Sequence, residues 1–273
     1  MLISSKSVNA LATEISSKSE IFCSGLFLSA RWFIVSGLDH DGIQMIVMPD
    51  RESAEYCAVD LYNLIEGDCV FFLPDSGKRL EKSNYKASLS VQRTSAIGKI
   101  LDYKEGRLVI VTYPSAIEEG IPSALKIKES LFKLTVGDEI SHEEIVEALF
   151  SSGFERTAFV SEPGHFAVRG AIIDIFSYSY NNPFRISFFG DEIETINIFD
   201  CNTQLSKEKV DCCEIYPDIV ASDEDAKSSL IDIFPSDTLV WLDSSDMYKD
   251  REFFTGLSKF RRVYMELPLS RQD

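Results

Sequence analysis

The fold of this chain is decided by one stretch, EPGHFAVRGAIIDIFSYSYNNPFRISFFGDEIETINIFD, at residues 162–200. It contains several short runs rich in β-branched and aromatic residues, which are typical of β-strands. Asn181-Asn182-Pro183 and Gly190-Asp191 separate these runs with residues that favour tight turns. Upstream, residues 141–152 have a helical pattern that begins with Ser141 and Glu144 at capping-box spacing. The stretch and this helix predict a compact α+β domain with an antiparallel sheet.

The run FRISFFG at 184–190 has two different faces, because successive side chains of a strand point to opposite sides of the sheet. One face carries Phe184, Ile186 and Phe188, and the other carries Arg185, Ser187 and Phe189. The first set is predicted core, whereas an arginine beside a large exposed aromatic is typical of interface hot spots. The same alternation in HFAVRG places Arg169 outward. Exposed phenylalanines also occur on ordinary surfaces, so the alternation alone leaves a binding role open.

The sequence on both sides of this domain has another pattern. Residues 1–123 alternate between apolar, β-rich runs and helix-length segments, and Asp50 is a predicted N-cap. Continuous β-rich runs separated by helices predict a parallel sheet with helices on both faces. The alternation is expected to resume from about residue 208, with DTLVWLD at 237–243 as a buried strand. An α/β domain is thus interrupted by the α+β domain.

Residues 162–200 closely resemble the insert domain shared by the excision-repair helicase UvrB and the transcription-repair coupling factor. The resemblance lies in the string E-x-G-x-[FY]-x-x-R-G-x-[IL]-[IL]-D-[IL]-F, followed by R-[IL]-x-F-F-x-[DE]-E-[IL]. The next residues, FDCNTQLS, are similar to the F-D-x-x-[TS]-Q-x-[ST] continuation of that family. The resemblance implies a degenerate helicase-like α/β domain at 1–123 and 208–273, and a UvrA-binding insert domain at 124–207.

A second stretch, SGLFLSARW at 24–32, matches the phosphate-loop template G-x-x-x-x-G-K-[ST] only at Gly25. Ala30, Arg31 and Trp32 stand where the second glycine, the lysine and the hydroxyl residue belong. Trp32 cannot coordinate Mg²⁺, and Asp243 is followed by serine, so the second carboxylate of an ATPase strand is also missing. We therefore expect no ATP hydrolysis and no cofactor.

The region PDSGKRLEKSNYKASLS at 74–90 is short and has one tyrosine, whereas UvrB carries a long tyrosine-rich DNA-clamping hairpin there. With the decayed loop, this favours the amino-terminal region of the coupling factor. Complete proteins of that family also have an RNA-polymerase-binding domain and an ATP-driven DNA translocase, neither of which is recognised here, so the chain is expected to be a fragment. Two alternatives stay open: a UvrB-like DNA-dependent ATPase, and a nucleotide sensor without hydrolysis.

The resemblance also assigns partner-binding residues. In that family, arginines on the insert-domain sheet contact UvrA, which carries over here to Arg169, Arg185 and Phe189. Residues 153–200 contain three arginines, no lysine and seven carboxylates, which suits a specific protein contact better than a DNA phosphate track. Glu162 and Asp174 are not expected to be a catalytic pair, because no nucleophile accompanies them, and Asp174 is interpreted as a structural partner of a backbone group or an arginine.

The composition agrees with an interaction module. The 273 residues carry 27 basic and 44 acidic side chains, a net charge of −17, which disfavours a surface built to grip nucleic acid. The six cysteines form no C-x-x-C motif and are expected to be reduced thiols in a cytoplasmic protein. The three histidines are far apart, so no metal is expected. Arg31 and three serines interrupt the apolar stretch 21–38, which argues against a membrane span.

Overall fold

A computed structural model describes residues 5–24, 30–77, 84–180, 182–219, 228–243 and 248–266. The strands are β1 Glu20–Ser24, β2 Gly42–Val47, β3 Val70–Phe72, β4 Arg107–Thr112, β5 Phe132–Thr135, β6 Glu155–Arg156, β7 His165–Arg169, β8 Ile172–Ile175, β9 Phe184–Phe189, β10 Glu192–Phe199, β11 Ser206–Val210, β12 Cys212–Ile215, β13 Leu239–Leu242 and β14 Arg261–Glu266. The helices are α1 Ser5–Ser17, α2 Ala30–Gly37, α3 Arg51–Leu64, α4 Asn84–Leu101, α5 Pro114–Glu118, α6 Ala124–Ser130, α7 His142–Ser151 and α8 Glu252–Gly256.

The chain divides into two compact units. The first unit comprises Met1–Lys78, Ile100–Gly120 and Ser228–Asp273, and the second comprises Arg79–Lys99 and Ile121–Lys227. In the first unit, six strands form a fully parallel sheet in the order β1-β14-β13-β2-β4-β3. Apolar side chains of α1, α2 and α3 pack on this sheet in one core. The predicted α/β class is confirmed.

The β-rich runs at the centre of the first unit's sheet, β2, β4 and β13, form it because nearly every residue in them is buried. All six residues of β2 are buried, as are all four of β13. The one polar side chain in β2, Gln44, lies inside the core, where its Oε1 accepts a hydrogen bond from Trp241 Nε1 at 3.1 Å. The predicted N-cap is confirmed, since Asp50 Oδ1 accepts a hydrogen bond from Ser53 N at 2.8 Å.

The second unit is built around a six-stranded sheet in the order β11-β10-β9-β8-β7-β6. Its pairs are antiparallel except for the short β6, which runs parallel to β7. Ile145 and Leu149 of α7 join the core on one face of this sheet. The predicted capping box at the start of α7 is present, with Ser141 and Glu144 bonded reciprocally. The predicted antiparallel α+β insert is therefore confirmed as a fold.

The structure differs from the sequence pattern at two places in this unit. Helix–strand alternation was expected from residue 208, but β11 continues the antiparallel sheet, and β12 pairs with β5, about eighty residues earlier. Only Glu155–Arg156 of the run FERTAFV at 154–160 forms a strand. Long-range pairing decides the first outcome, and the burial of Val160 with Ala167 and Phe176 in a separate cluster accounts for the second; local residue patterns report neither.

Candidate protein-interaction surface

The outer face of the second unit's sheet is set by the alternation along β9. Phe184, Ile186 and Phe188 are buried in the core, whereas Phe189 is 78% exposed. Arg185 and Ser187 lie between these two extremes on the outward side. The predicted division of this strand into a core face and an outer face is confirmed.

The centre of the outer face is a buried carboxylate. Asp174 of β8 is 1% exposed and stands opposite Arg185 of β9 in the strand register. Its Oδ1 accepts a hydrogen bond from Arg185 Nε at 2.7 Å, and its Oδ2 accepts one from Arg185 Nη2 at 3.0 Å. Oδ2 also accepts a hydrogen bond from Arg169 Nη2. The structural interpretation of Asp174 is thus confirmed: one carboxylate holds both arginines.

Arg185 is held on all sides. Its Nη2 also donates to Gln204 Oε1 at 3.0 Å, and its Nη1 donates to the Gln204 carbonyl at 3.4 Å. The guanidinium carbon lies 4.2 Å from the centroid of the Phe199 ring, within cation–π distance. The hydrogen bonds to Asp174 raise the pKa of Arg185 above its ordinary value, so it is cationic at any relevant pH. The Arg185 side chain is 19% exposed.

Arg169 is presented differently. Its side chain is 38% exposed, and Asp174 is its one hydrogen-bond partner among the described residues. Its guanidinium carbon lies 5.4 Å from the centroid of the Phe159 ring, and Phe159 is itself 63% exposed. The loop that carries Phe159 is fixed by Thr157 Oγ1, which donates to the Phe159 carbonyl at 3.0 Å. Arg169 therefore retains N–H donors for a partner.

Phe189 shares the face without touching the arginines. It ends β9 four residues beyond Arg185, which corresponds to about 13 Å along an extended strand. The structure therefore brings Arg169 and Arg185 together on Asp174 and places Phe189 at a distance on the same surface. A partner must cover a patch of roughly this length to engage all three side chains.

Two residues on this face were not foreseen from the sequence. Phe159 lies in a predicted strand that is mostly a loop, so alternation could not show that its ring is exposed beside Arg169. Gln204 belongs to the TQ pair in FDCNTQLS, which carried the resemblance but had been given no role. Its signal in the sequence is a glutamine at the end of a turn rich in Asp, Asn and Thr.

The residues compared with the phosphate-loop template lie in the first unit. Gly25 is outside the described residues, and Ala30 begins α2. Arg31 forms an ion pair with Asp243, and both side chains are only 12% exposed. Trp32 is buried in the core, with the Arg31 guanidinium carbon 4.9 Å from its ring centroid. Burial lowers the pKa of Arg31 from its ordinary value. The positive charge of Arg31 is therefore paired with the Asp243 carboxylate of the same unit.

The described residues also define the state of the thiols and of the candidate metal ligands. All six cysteines are free. No group of three or more His, Cys, Asp or Glu side chains among the described residues could hold a metal ion. A search of the same residues found no helix with the length and apolar character needed to span a bilayer.

With this geometry in hand, comparison with known proteins defines the class of the second unit. Residues 132–219 match the family model described as the UvrB interaction domain. The match includes the sheet with its arginine pair and extends through β12. The predicted domain boundaries at 124 and 207 stay a prediction.

The wider chain is similar to two kinds of repair protein. It is 30% identical to the transcription-repair-coupling factor of Bacillus subtilis over 202 residues, 72% of this chain, and 30% identical to that of Mycobacterium tuberculosis over 190 residues, 67% of this chain. It is 29% identical to UvrABC system protein B of Methanococcus maripaludis over 181 residues, 65% of this chain. The matched regions span 17%, 15% and 27% of these relatives, respectively. The resemblance to the amino-terminal, UvrB-like region of the coupling factor is confirmed.

Proposed function

We propose that the second unit binds UvrA, and that the chain thereby recruits nucleotide excision repair to stalled transcription. The observation that carries this proposal is the pair Arg169 and Arg185 fixed on one buried carboxylate, on the same face as exposed Phe189. Pre-organised arginines lose little freedom on binding, and an exposed phenylalanine adds apolar area. A partner with carboxylate or carbonyl acceptors beside an apolar recess fits this surface.

The names of the relatives support the choice of partner and process. One relative is a component of the UvrABC system, and another couples transcription to repair. The patch also suits a protein better than DNA, because Asp174 offsets one of its two positive charges and the whole chain carries −17. In the longer relatives, RNA polymerase and DNA would be bound by other domains. We place the protein in the cytoplasm, where these partners act.

Calorimetric titration of UvrA into the full chain tests this proposal. Arg169→Ala, Arg185→Ala and Phe189→Ala should each weaken binding roughly 30-fold, the equivalent of about 2 kcal/mol for a hot-spot residue. Tyr56→Ala and Arg251→Ala are matched controls, because both side chains are exposed in the first unit and should leave affinity unchanged. Wild-type affinity in all three surface variants would contradict the proposal.

We also propose that the chain itself is not an ATPase. The supporting observation is that Arg31, at the position of the phosphate-binding lysine, is paired with Asp243, at the position of the catalytic-strand carboxylate. A buried tryptophan at position 32 replaces the hydroxyl group that would hold Mg²⁺. Phosphate release from ATP, measured with and without DNA, should stay at background. Turnover would favour a UvrB-like ATPase, whereas saturable ATP binding without turnover would favour a nucleotide sensor.

A further inference from the structure

The turn between β10 and β11 contains an unusual backbone conformation. Gln204 has φ of 61°, and no other residue except glycine has a positive φ in the described part of the chain. Side chains with a Cβ rarely adopt this left-handed region, and residues held there concentrate at functional positions. Other contacts must therefore stabilise this backbone conformation, and the conformation in turn places the Gln204 side chain.

The cause is a network of hydrogen bonds centred on Asp200. Its Oδ1 accepts from the backbone N–H groups of Asn202 and Thr203, each at 3.0 Å, and its Oδ2 pairs with Lys207 Nζ at 3.0 Å. The Asp200 carbonyl accepts from Gln204 N at 2.7 Å. The bonds from Thr203 N and Lys207 lower the pKa of Asp200 to about 2, so the turn keeps its charged anchor at neutral pH.

The consequence is that Gln204 offers two acceptors to Arg185. Its carbonyl and its Oε1 both accept hydrogen bonds from the guanidinium. Gln204 Nε2 donates to the Cys201 carbonyl at 2.7 Å, which fixes the orientation of the amide and leaves Oε1 toward Arg185. Together with the two bonds to Asp174, four of the five N–H donors of Arg185 have partners.

We infer that Gln204 is a positioning residue for the partner-binding surface. It holds the Arg185 guanidinium over the Phe199 ring, so that Asp174 keeps one orientation and Arg169, which has spare donors, faces the partner. The inference rests on the proposed function, because the value of a fixed arginine pair lies in the contact it makes. A residue that only turns the chain would need neither its Oε1 bond nor its Nε2 bond.

The test uses the full chain labelled with ¹⁵N. Gln204→Gly keeps the left-handed backbone available and deletes the amide, so the Arg185 Nε–H signal should exchange with water at least fivefold faster. Gln204→Glu keeps a side-chain oxygen that can accept from Arg185 and loses only the Nε2 bond to Cys201, so its exchange should be slower than that of Gln204→Gly. Glu208→Ala, an exposed position on β11 next to this turn but outside the Asp200 network, is the matched control and should exchange as wild type does. UvrA affinity should fall 3- to 10-fold in Gln204→Gly, while its unfolding midpoint in urea stays at or above wild type.

The two proposals fail in different ways. Wild-type exchange and wild-type affinity in Gln204→Gly, with Arg185→Ala still defective, would overturn the positioning role and leave the UvrA surface standing. Faster exchange in Gln204→Gly with Arg169→Ala, Arg185→Ala and Phe189→Ala all binding UvrA normally would overturn the proposed function instead. A loss of affinity that follows a loss of stability would mark Gln204 as a turn residue only and also overturn the positioning role.

Discussion

Replacing Arg31 with methionine should destabilise the first unit by about 3 kcal/mol. The substitution leaves the carboxylate of Asp243 without its counter-charge in a setting where the side chain is only 12% exposed. Removing one partner of a buried ion pair costs about 3–5 kcal/mol, and the residual exposure places this pair at the lower end of that range. Asp243→Leu removes the other member of the same pair and should cost a similar amount.

The double variant Arg31→Met/Asp243→Leu separates the pair from ordinary packing. With both charges gone, no uncompensated charge remains, and apolar replacement of a buried pair is often close to neutral. Its cost should therefore be about 3 kcal/mol or less, not the roughly 6 kcal/mol expected if the single substitutions added. The coupling energy between the two positions should be about 3 kcal/mol or more.

Tryptophan emission during urea unfolding measures these changes in the relevant unit. The chain has two tryptophans, Trp32 and Trp241, and both lie in the first unit. The signal therefore reports that unit while the second unit unfolds unseen. Additive single-variant costs, or an Arg31→Met variant as stable as wild type, would refute the interpretation of Arg31 and Asp243 as a coupled, largely buried ion pair.

Three further predictions concern other parts of the chain. Phe159→Ala should weaken UvrA binding about 3- to 10-fold in a calorimetric titration without changing the stability to unfolding, because it removes the ring beside the Arg169 guanidinium. An unchanged affinity would show that the binding surface does not include the loop that carries Phe159. Burial alone would raise the pKa of Asp75, but hydrogen bonds led by that from Arg51 lower this pKa below 3.8. The stability that the charged Asp75 contributes is therefore present above this pH and should be lost as the pH falls further. Asp75→Asn should show a shallower loss of stability between pH 2 and 4, measured by tryptophan emission, and parallel curves for the variant and wild type would contradict this. Ile186→Ala should cost the second unit about 2–5 kcal/mol in far-UV circular dichroism unfolding, since the side chain is fully buried; a cost under 1 kcal/mol would contradict the core assignment.

Much of the fold could be predicted because local chemistry and burial agree along the chain. Asp50 and Ser141 cap helices through bonds to residues three positions ahead, which is a short-range signal. The central strands β2, β4 and β13 of the parallel sheet are almost entirely buried, so continuous apolar runs identify them. The alternation along β9 likewise reflects one buried face and one outer face.

The rest depended on partners distant in sequence. The edge strand β12 has no local feature that selects β5 as its neighbour. The run at 154–160 is apolar enough for a strand, yet only two of its residues pair with β7. Val160 is instead buried with Ala167 and Phe176 in a small separate cluster, so the chain leaves the sheet after these two residues. Such tertiary contacts override the intrinsic preference of a short segment.

The proposed binding surface shows most clearly what cannot be predicted from sequence, because residue types identify the residues of the surface but not their roles. The sequence presents Arg169 and Arg185 as equivalent outward arginines, and the strand alternation for both is correct. The two arginines differ because Asp174 lies on the strand between them and because Gln204 binds Arg185. No sequence pattern predicts the left-handed backbone of Gln204. Most N–H donors of Arg185 bind groups of the protein itself, whereas most N–H donors of Arg169 have no partner among the described residues. A change at either position therefore alters Asp174 and, through it, the other arginine, so the two act as one unit rather than as two independent contacts.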